Sequence, residues 1–227
     1  MDTTNLKNLL IELSSPNPFG EEITLVGASK TMPVEVINQA IDGGLRVVAE
    51  NRVQEFREKT DFIDKRCVQH FIGHLQTNKV KYLIGKVDLI QSVDSLHLAS
   101  VIDELSAKKG VLTNILIEIN VGGELSKSGF DLNNVYSAVK EISALKNIKV
   151  LGLMAMLPKT DENELIPLCT KMRAVYDTLK DEYEFKYLSM GMSGDYKIAI
   201  KCGSNMIRLG SHIFGKRNYE VKENGNI

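Results

Sequence analysis

Cysteine is scarce in this chain of 227 residues: Cys67, Cys169 and Cys202 are odd in number and far apart, with no CxxC pair. That usage argues against a disulfide framework or a Cys-rich zinc site and implies a reducing cytosol. An excess of basic charge is missing too, since 28 Lys and Arg stand against 29 Asp and Glu. Without a basic field, gripping nucleic acid through its phosphates is not the expected business of the molecule. No apolar run reaches the roughly 20 residues that span a bilayer. The polar start Met1-Asp2-Thr3-Thr4-Asn5 does not read as a secretory signal. A GxGxxG turn after the first apolar strand is absent, which removes the usual dinucleotide fingerprint.

What the sequence does contain is a rhythm. An apolar, β-rich run followed by a helical segment recurs about every 25 to 30 residues, the signature of parallel βαβ units. Strands are expected at 23–28, 46–51, 68–73, 89–93, 114–120, 150–156, 185–190 and 206–209. Helices are expected to open at Pro33, to run from Val53, and to cover 77–84, 96–108, 133–145, 162–181 and 195–201, with a brief turn at 211–214. An additional amphipathic helix over residues 5–13 precedes the first strand. Eight alternations in a chain of this length predict an α/β fold, a single (β/α)8 TIM barrel over residues 1–227 with an extra N-terminal helix.

In such a barrel the functional side chains stand at the C-terminal ends of the strands. Lys30 leaves the first strand there. A partly desolvated amine at that place is a candidate Schiff-base former, and a solvated lysine before a helix is the plainer reading. The last two strands run into Gly191-Met192-Ser193-Gly194 and Arg208-Leu209-Gly210-Ser211. Barrels often bind phosphate at this position, although the two serines could equally cap helices. An amine and a phosphate cradle at one barrel mouth suit a small phosphorylated aldehyde, of which pyridoxal 5′-phosphate is the common cofactor.

Segments spread along the chain resemble one family. They are Ser29-Lys30-Thr31-Met32-Pro33, Glu50-Asn51-Arg52-Val53-Gln54-Glu55, residues 70–79 from His70 to Lys79, Ser126-Lys127-Ser128-Gly129-Phe130, Gly152-Leu153-Met154-Ala155, Gly191-Met192-Ser193, Arg208-Leu209-Gly210, and residues 213–217. In this order and spacing they are similar to the pyridoxal-phosphate homeostasis proteins, whose barrel is similar to the N-terminal domain of alanine racemase. The resemblance implies that Lys30 holds pyridoxal phosphate as an internal aldimine. It implies that Ser193 and the backbone amides of Gly210 and Ser211 hold the phosphate, that Arg208 faces the pyridine nitrogen, and that Asn51 and Met154 line the ring. Family members usually carry Gly-Glu-Asn-Tyr where this chain has Ala49-Glu50-Asn51-Arg52, which bears on local packing more than on Asn51.

A guanidinium only donates hydrogen bonds, so Arg208 would require an unprotonated pyridine nitrogen, a poor electron sink. The racemase resemblance also implies a second, β-rich domain that supplies one acid/base group, and the sequence shows no counterpart of it before Ile227. The expectation is a non-catalytic protein that buffers or delivers the cofactor, with apo-enzymes that use it as candidate recipients. A monomer is expected, because no long apolar patch stands out. Two enzyme readings compete: a single-domain amino-acid racemase with an acid from His70, His212 or Tyr219, and a Schiff-base aldolase using Lys30 alone. His70 and His74 lack a third partner for a metal. Lys127 is either loop charge or a second group at the mouth.

Overall fold

The computed structural model describes residues 3–124 and 128–215, so Lys127 and Tyr219 lie outside the described residues. Eight parallel strands close into a barrel: β1 (Thr24–Ala28), β2 (Val47–Glu50), β3 (Val68–Phe71), β4 (Leu89–Val93), β5 (Thr113–Asn120), β7 (Ile148–Ala155), β8 (Tyr187–Ser189) and β9 (Met206–Leu209). Pairing of β4 with β5 and of β1 with β9 completes the ring. A two-residue strand, β6 (Phe130–Asp131), adds to the end of β5 and is the one strand the sequence pattern does not signal.

The connecting helices are α2 (Val34–Asp42), α3 (Val53–Lys59), α4 (Leu96–Lys109), α5 (Val135–Ser143), α6 (Glu162–Tyr183), α7 (Tyr196–Lys201) and α8 (Ser211–Phe214). Pro33 sits one residue ahead of α2, in extended backbone, and Gly43 and Gly44 follow its end. Between β3 and β4 the expected α-helix is a 3₁₀ segment, Thr77–Tyr82. Its Thr77-Asn78-Lys79-Val80-Lys81-Tyr82 run is polar and carries only Val80 as a buried residue, too little apolar surface to draw a full helix onto the sheet.

The strand pleat sorts side chains into layers. Outward-facing residues such as Leu25, Ile90, Ile115, Ile117, Leu153 and Leu188 pack beneath the helices. Inward, Val26, Ala49, Leu89, Leu116, Leu151, Met154 and Met206 fill the barrel interior. The methyl of Ala49, which departs from the family's glycine, is absorbed in this layer at 1% exposure. Helix α1 (Thr4–Glu12) closes one flank, where Leu6, Leu9 and Leu13 share a cluster with Ile37 and Ile41 of α2 and Ile213 of α8.

Candidate functional site

Above the apolar layer the barrel interior turns polar. Arg208, second from the end of β9, is 4% exposed. It donates to the Ser189 hydroxyl at 2.6 Å and to the Ala155 carbonyl at 2.9 Å. Ser189 in turn donates to Gln91 at 2.8 Å, and Gln91 lies 2.9 Å from Nδ1 of His70. Burial pushes the His70 imidazole down to about 3, so it is neutral and accepts the Gln91 amide through Nδ1. Four strands thereby hold one guanidinium. Burial also lowers Arg208 to about 10, against the pull of Glu118 and Asp195, and it remains a cation at neutral pH.

This layer floors a cavity of about 540 Å³ at the C-terminal mouth of the barrel. Of the residues singled out by sequence, Lys30, Asn51, Ser193, Arg208, Gly210 and Ser211 all line it. Met154 does not. It is 1% exposed within the apolar interior, and Met32, Met156 and Met192 are the methionines on the cavity wall.

Each lining group has a local reason for its place. The loop after β8 is closed where Met192 donates to the Asp195 carboxylate at 2.5 Å and Asp195 N–H donates to the Met192 carbonyl at 3.1 Å. Ser193 and Gly194 sit inside that turn. The Ser211 hydroxyl donates to Ser193 at 3.2 Å, so the loops after β8 and β9 meet. Neither serine caps a helix with its side chain, which removes the plainer reading of both. At Gly210, φ is −113° and an added Cβ would come no closer than 3.4 Å to Ala28 O. Neither backbone nor packing requires a glycine there.

Asn51 is held by an unusually close approach. A Cβ on Gly73 would lie 2.0 Å from the Asn51 carbonyl oxygen, so only a glycine lets the ends of β2 and β3 converge. The Asn51 side-chain oxygen is buried without a hydrogen-bond partner. A buried orphan acceptor at a cavity wall is a group left for a ligand or water.

The opposite wall was not legible as a site. Glu118 on β5 is buried and lines the cavity, and its carboxylate makes no hydrogen bond among the described residues. Burial foremost, and Asp94 next, push its carboxyl up to about 7, while Arg208 and His74 pull it back. His74 rests 3.1 Å from Asp94, is 64% exposed and lines the cavity, whereas His70 is buried. Among the described residues no group of three or more His, Cys, Asp or Glu could hold a metal ion. The one sequence signal for Glu118 was an acid at inward parity in the otherwise apolar run Ile115-Leu116-Ile117-Glu118-Ile119.

Chemically, the mouth offers a primary amine, a two-loop hydroxyl and amide cradle, and a buried cation at its floor. Comparison with known proteins gives the family to which the chain belongs. The model of the alanine racemase N-terminal domain matches residues 28–218. A pyridoxal phosphate homeostasis protein of Aquifex aeolicus is 45% identical over 199 residues, 86% of this chain and 87% of that protein. PipY of Synechococcus elongatus PCC7942, a COG0325 family member solved without and with pyridoxal phosphate, covers 93% of this chain and 99% of its own at 28% identity, with a TM-score of 0.84 for the form without it. An alanine racemase of Clostridium difficile 630, 18% identical with a TM-score of 0.78 over 95% of this chain and 58% of that one, shares the fold. By sequence and by barrel, this chain belongs to the pyridoxal phosphate homeostasis protein family, within the wider group built on the alanine racemase N-terminal domain.

Proposed function

We propose that this protein binds pyridoxal 5′-phosphate at the barrel mouth and holds it for storage or delivery in the cytosol, without substantial turnover of a substrate. The observation that carries the reading is that one cavity unites the Lys30 amine, the Ser193–Ser211 pair and buried Arg208. The residues fit the cofactor group by group. Lys30 would hold the cofactor through its amine, the nucleophile that an aldehyde carbon requires. Ser193, Ser211 and the backbone amides of Gly210 and Ser211 suit the phosphate oxygens. Gly210 keeps clear a space that a methyl would fill, and Arg208 is a donor for a ring nitrogen that bears no proton. Asn51 offers its orphan oxygen to the same volume.

When bound, the cofactor would supply an electrophilic carbon and an electron sink, and this chain restrains the second of these. Arg208 cannot accept a proton bond, and its own bonds to Ser189 and Ala155 fix it there. Of the acids that a racemase reading names, His70 is locked in the interior and His212 lies in a groove against α1, outside the cavity. The apo-enzymes that use the cofactor are the natural recipients of what the site releases.

Two measurements test the reading. Mixed with pyridoxal phosphate, the protein should turn yellow, and Lys30→Ala should lose that visible band. A panel of L- and D-amino acids should give no turnover near about 1 per second, the slow end of ordinary enzymes. A colourless wild-type protein, or turnover at that rate, would overturn the first or the second half of the proposal respectively.

A further inference from the structure

Lys30 owes its position to its neighbours, because both peptides flanking it are tied down by side chains of the next βα unit. On one side, buried Ser29 donates to the Glu50 carboxylate at 2.9 Å, and its backbone N–H donates to the Ala49 carbonyl at 3.0 Å. On the other, the Thr31 N–H donates to the Glu55 carboxylate at 2.7 Å. Thr31 adopts φ of 66°, a left-handed conformation that a β-branched residue takes only under constraint.

Both carboxylates converge on a single cation. Lys59, at the end of α3, donates to Glu50 at 2.8 Å and to Glu55 at 2.9 Å, and lies 3.4 Å from the Ser29 carbonyl. Its side chain is 14% exposed, against 7% for Glu50 and 17% for Glu55. Burial disfavours all three charges. For Lys59 and Glu55 the mutual hydrogen bonds outweigh it, so the amine sits above and the Glu55 carboxyl below the ordinary range. For Glu50 burial prevails and its carboxyl is raised, so its charge depends on Lys59. None of the three lines the cavity. The interaction energy they hold is therefore available to constrain the loop rather than to bind a ligand.

We propose that Lys59 is a positioning residue: by gripping Glu50 and Glu55 with one ammonium, it fixes the peptides on both sides of Lys30 and aims the Lys30 amine into the cavity. This rests on the reading of Lys30 as the amine that captures the aldehyde. The role separates two properties of the site. The phosphate cradle belongs to β8 and β9 and should not sense the clamp, whereas amine attack requires a narrow approach.

The experiment compares two ligands on the same proteins. Pyridoxal phosphate reports capture through the rate at which the visible band appears. Pyridoxine phosphate, the alcohol, reports the cradle alone through its dissociation constant. Glu55→Ala frees Thr31 yet leaves Lys59 paired with Glu50, and Glu55→Gln keeps an oxygen for the Thr31 N–H. Lys59→Met removes the whole clamp, and its thermal melt shows whether it folds. The expected result is that Glu55→Ala and folded Lys59→Met slow capture about ten-fold or more. Affinity for the alcohol should hold within about two-fold, and Glu55→Gln should recover most of the rate. Should Lys59→Met fail to fold, the Glu55 pair decides the matter alone. Unchanged capture in Glu55→Ala, or a parallel fall for both ligands, would overturn the proposal. A Lys30→Ala control that keeps the band would instead mean that the site reading has failed.

Discussion

Arg208 donates to Ser189 across 2.6 Å, and that bond is the first link of a donor chain that crosses the barrel to His70. Every link runs one way, from guanidinium to hydroxyl, hydroxyl to amide oxygen, and amide N–H to imidazole. Such a chain is polarised in one sense, and among the described residues the cation at its head is held without a carboxylate in direct contact.

Removing the middle of that chain should therefore be costly. Ser189→Ala leaves one Arg208 N–H and the Gln91 oxygen without partners in a layer where both are buried. Leaving a buried polar group unpaired costs about 1–3 kcal/mol, more when it is charged. We expect urea unfolding of Ser189→Ala to show a loss at or above that range. A change of only a few tenths of a kcal/mol would mean that the cavity already hydrates Arg208.

Gly210→Ala should behave in the opposite way. The backbone there is accessible to any residue, and the nearest atom to a new methyl is Ala28 O at 3.4 Å. Stability should stay within about 0.5 kcal/mol of the parent. Phosphate-bearing ligands should nonetheless bind at least about ten-fold more weakly, because the methyl occupies the space that an oxygen would use. Differential scanning calorimetry beside a titration with pyridoxine phosphate separates the two effects. A large loss of stability with unchanged affinity would assign Gly210 to packing.

Gly73→Ala joins fold and site in one change. Its new methyl would fall 2.0 Å from the Asn51 carbonyl oxygen and 2.6 Å from the carbonyl carbon, both of them backbone. Nothing flexible can yield, so β2 and β3 must part at the mouth. Overpacking of this kind costs about 1–3 kcal/mol or more. Denaturant melts should show that loss together with weaker ligand binding, since Asn51 moves with its own backbone.

These residues also show what a sequence can and cannot disclose. The strand rhythm carried the barrel because parallel strands buried on both faces read as uninterrupted apolar runs. Lys30, Ser193, Gly210 and Ser211 were readable because strand ends in a barrel share one mouth. Lys59 was not. It stands on a helix at a position that looks like solvated charge, and only the convergence of Glu50 and Glu55 gives it a role. Met154 came from the family resemblance and not from the residues around it: it faces inward on β7 but sits in the apolar layer, and Met156, two residues on, is the methionine that lines the cavity.

Glu118 gives the cleanest test of cavity electrostatics through pH. Its carboxyl is raised from 4.5 to about 7, chiefly by burial and then by Asp94. Between those values the folded chain keeps a proton that the unfolded chain has released. Stability from this group therefore falls as pH rises through the window and levels off above about 7. His70 acts in the reverse direction, because burial lowers it from 6.5 to about 3 and the unfolded chain binds the extra proton there. The two slopes oppose each other where they overlap, so the wild-type profile alone cannot separate them. Glu118→Gln removes the falling limb and leaves the His70 limb intact. The variant should gain on the parent progressively as pH is raised, by a few kcal/mol at most near neutrality, and the gain should vanish in acid. Urea unfolding of the cofactor-free protein at a series of pH values measures the difference directly. An offset that stays constant across the series would show that Glu118 is already ionised in the folded cavity.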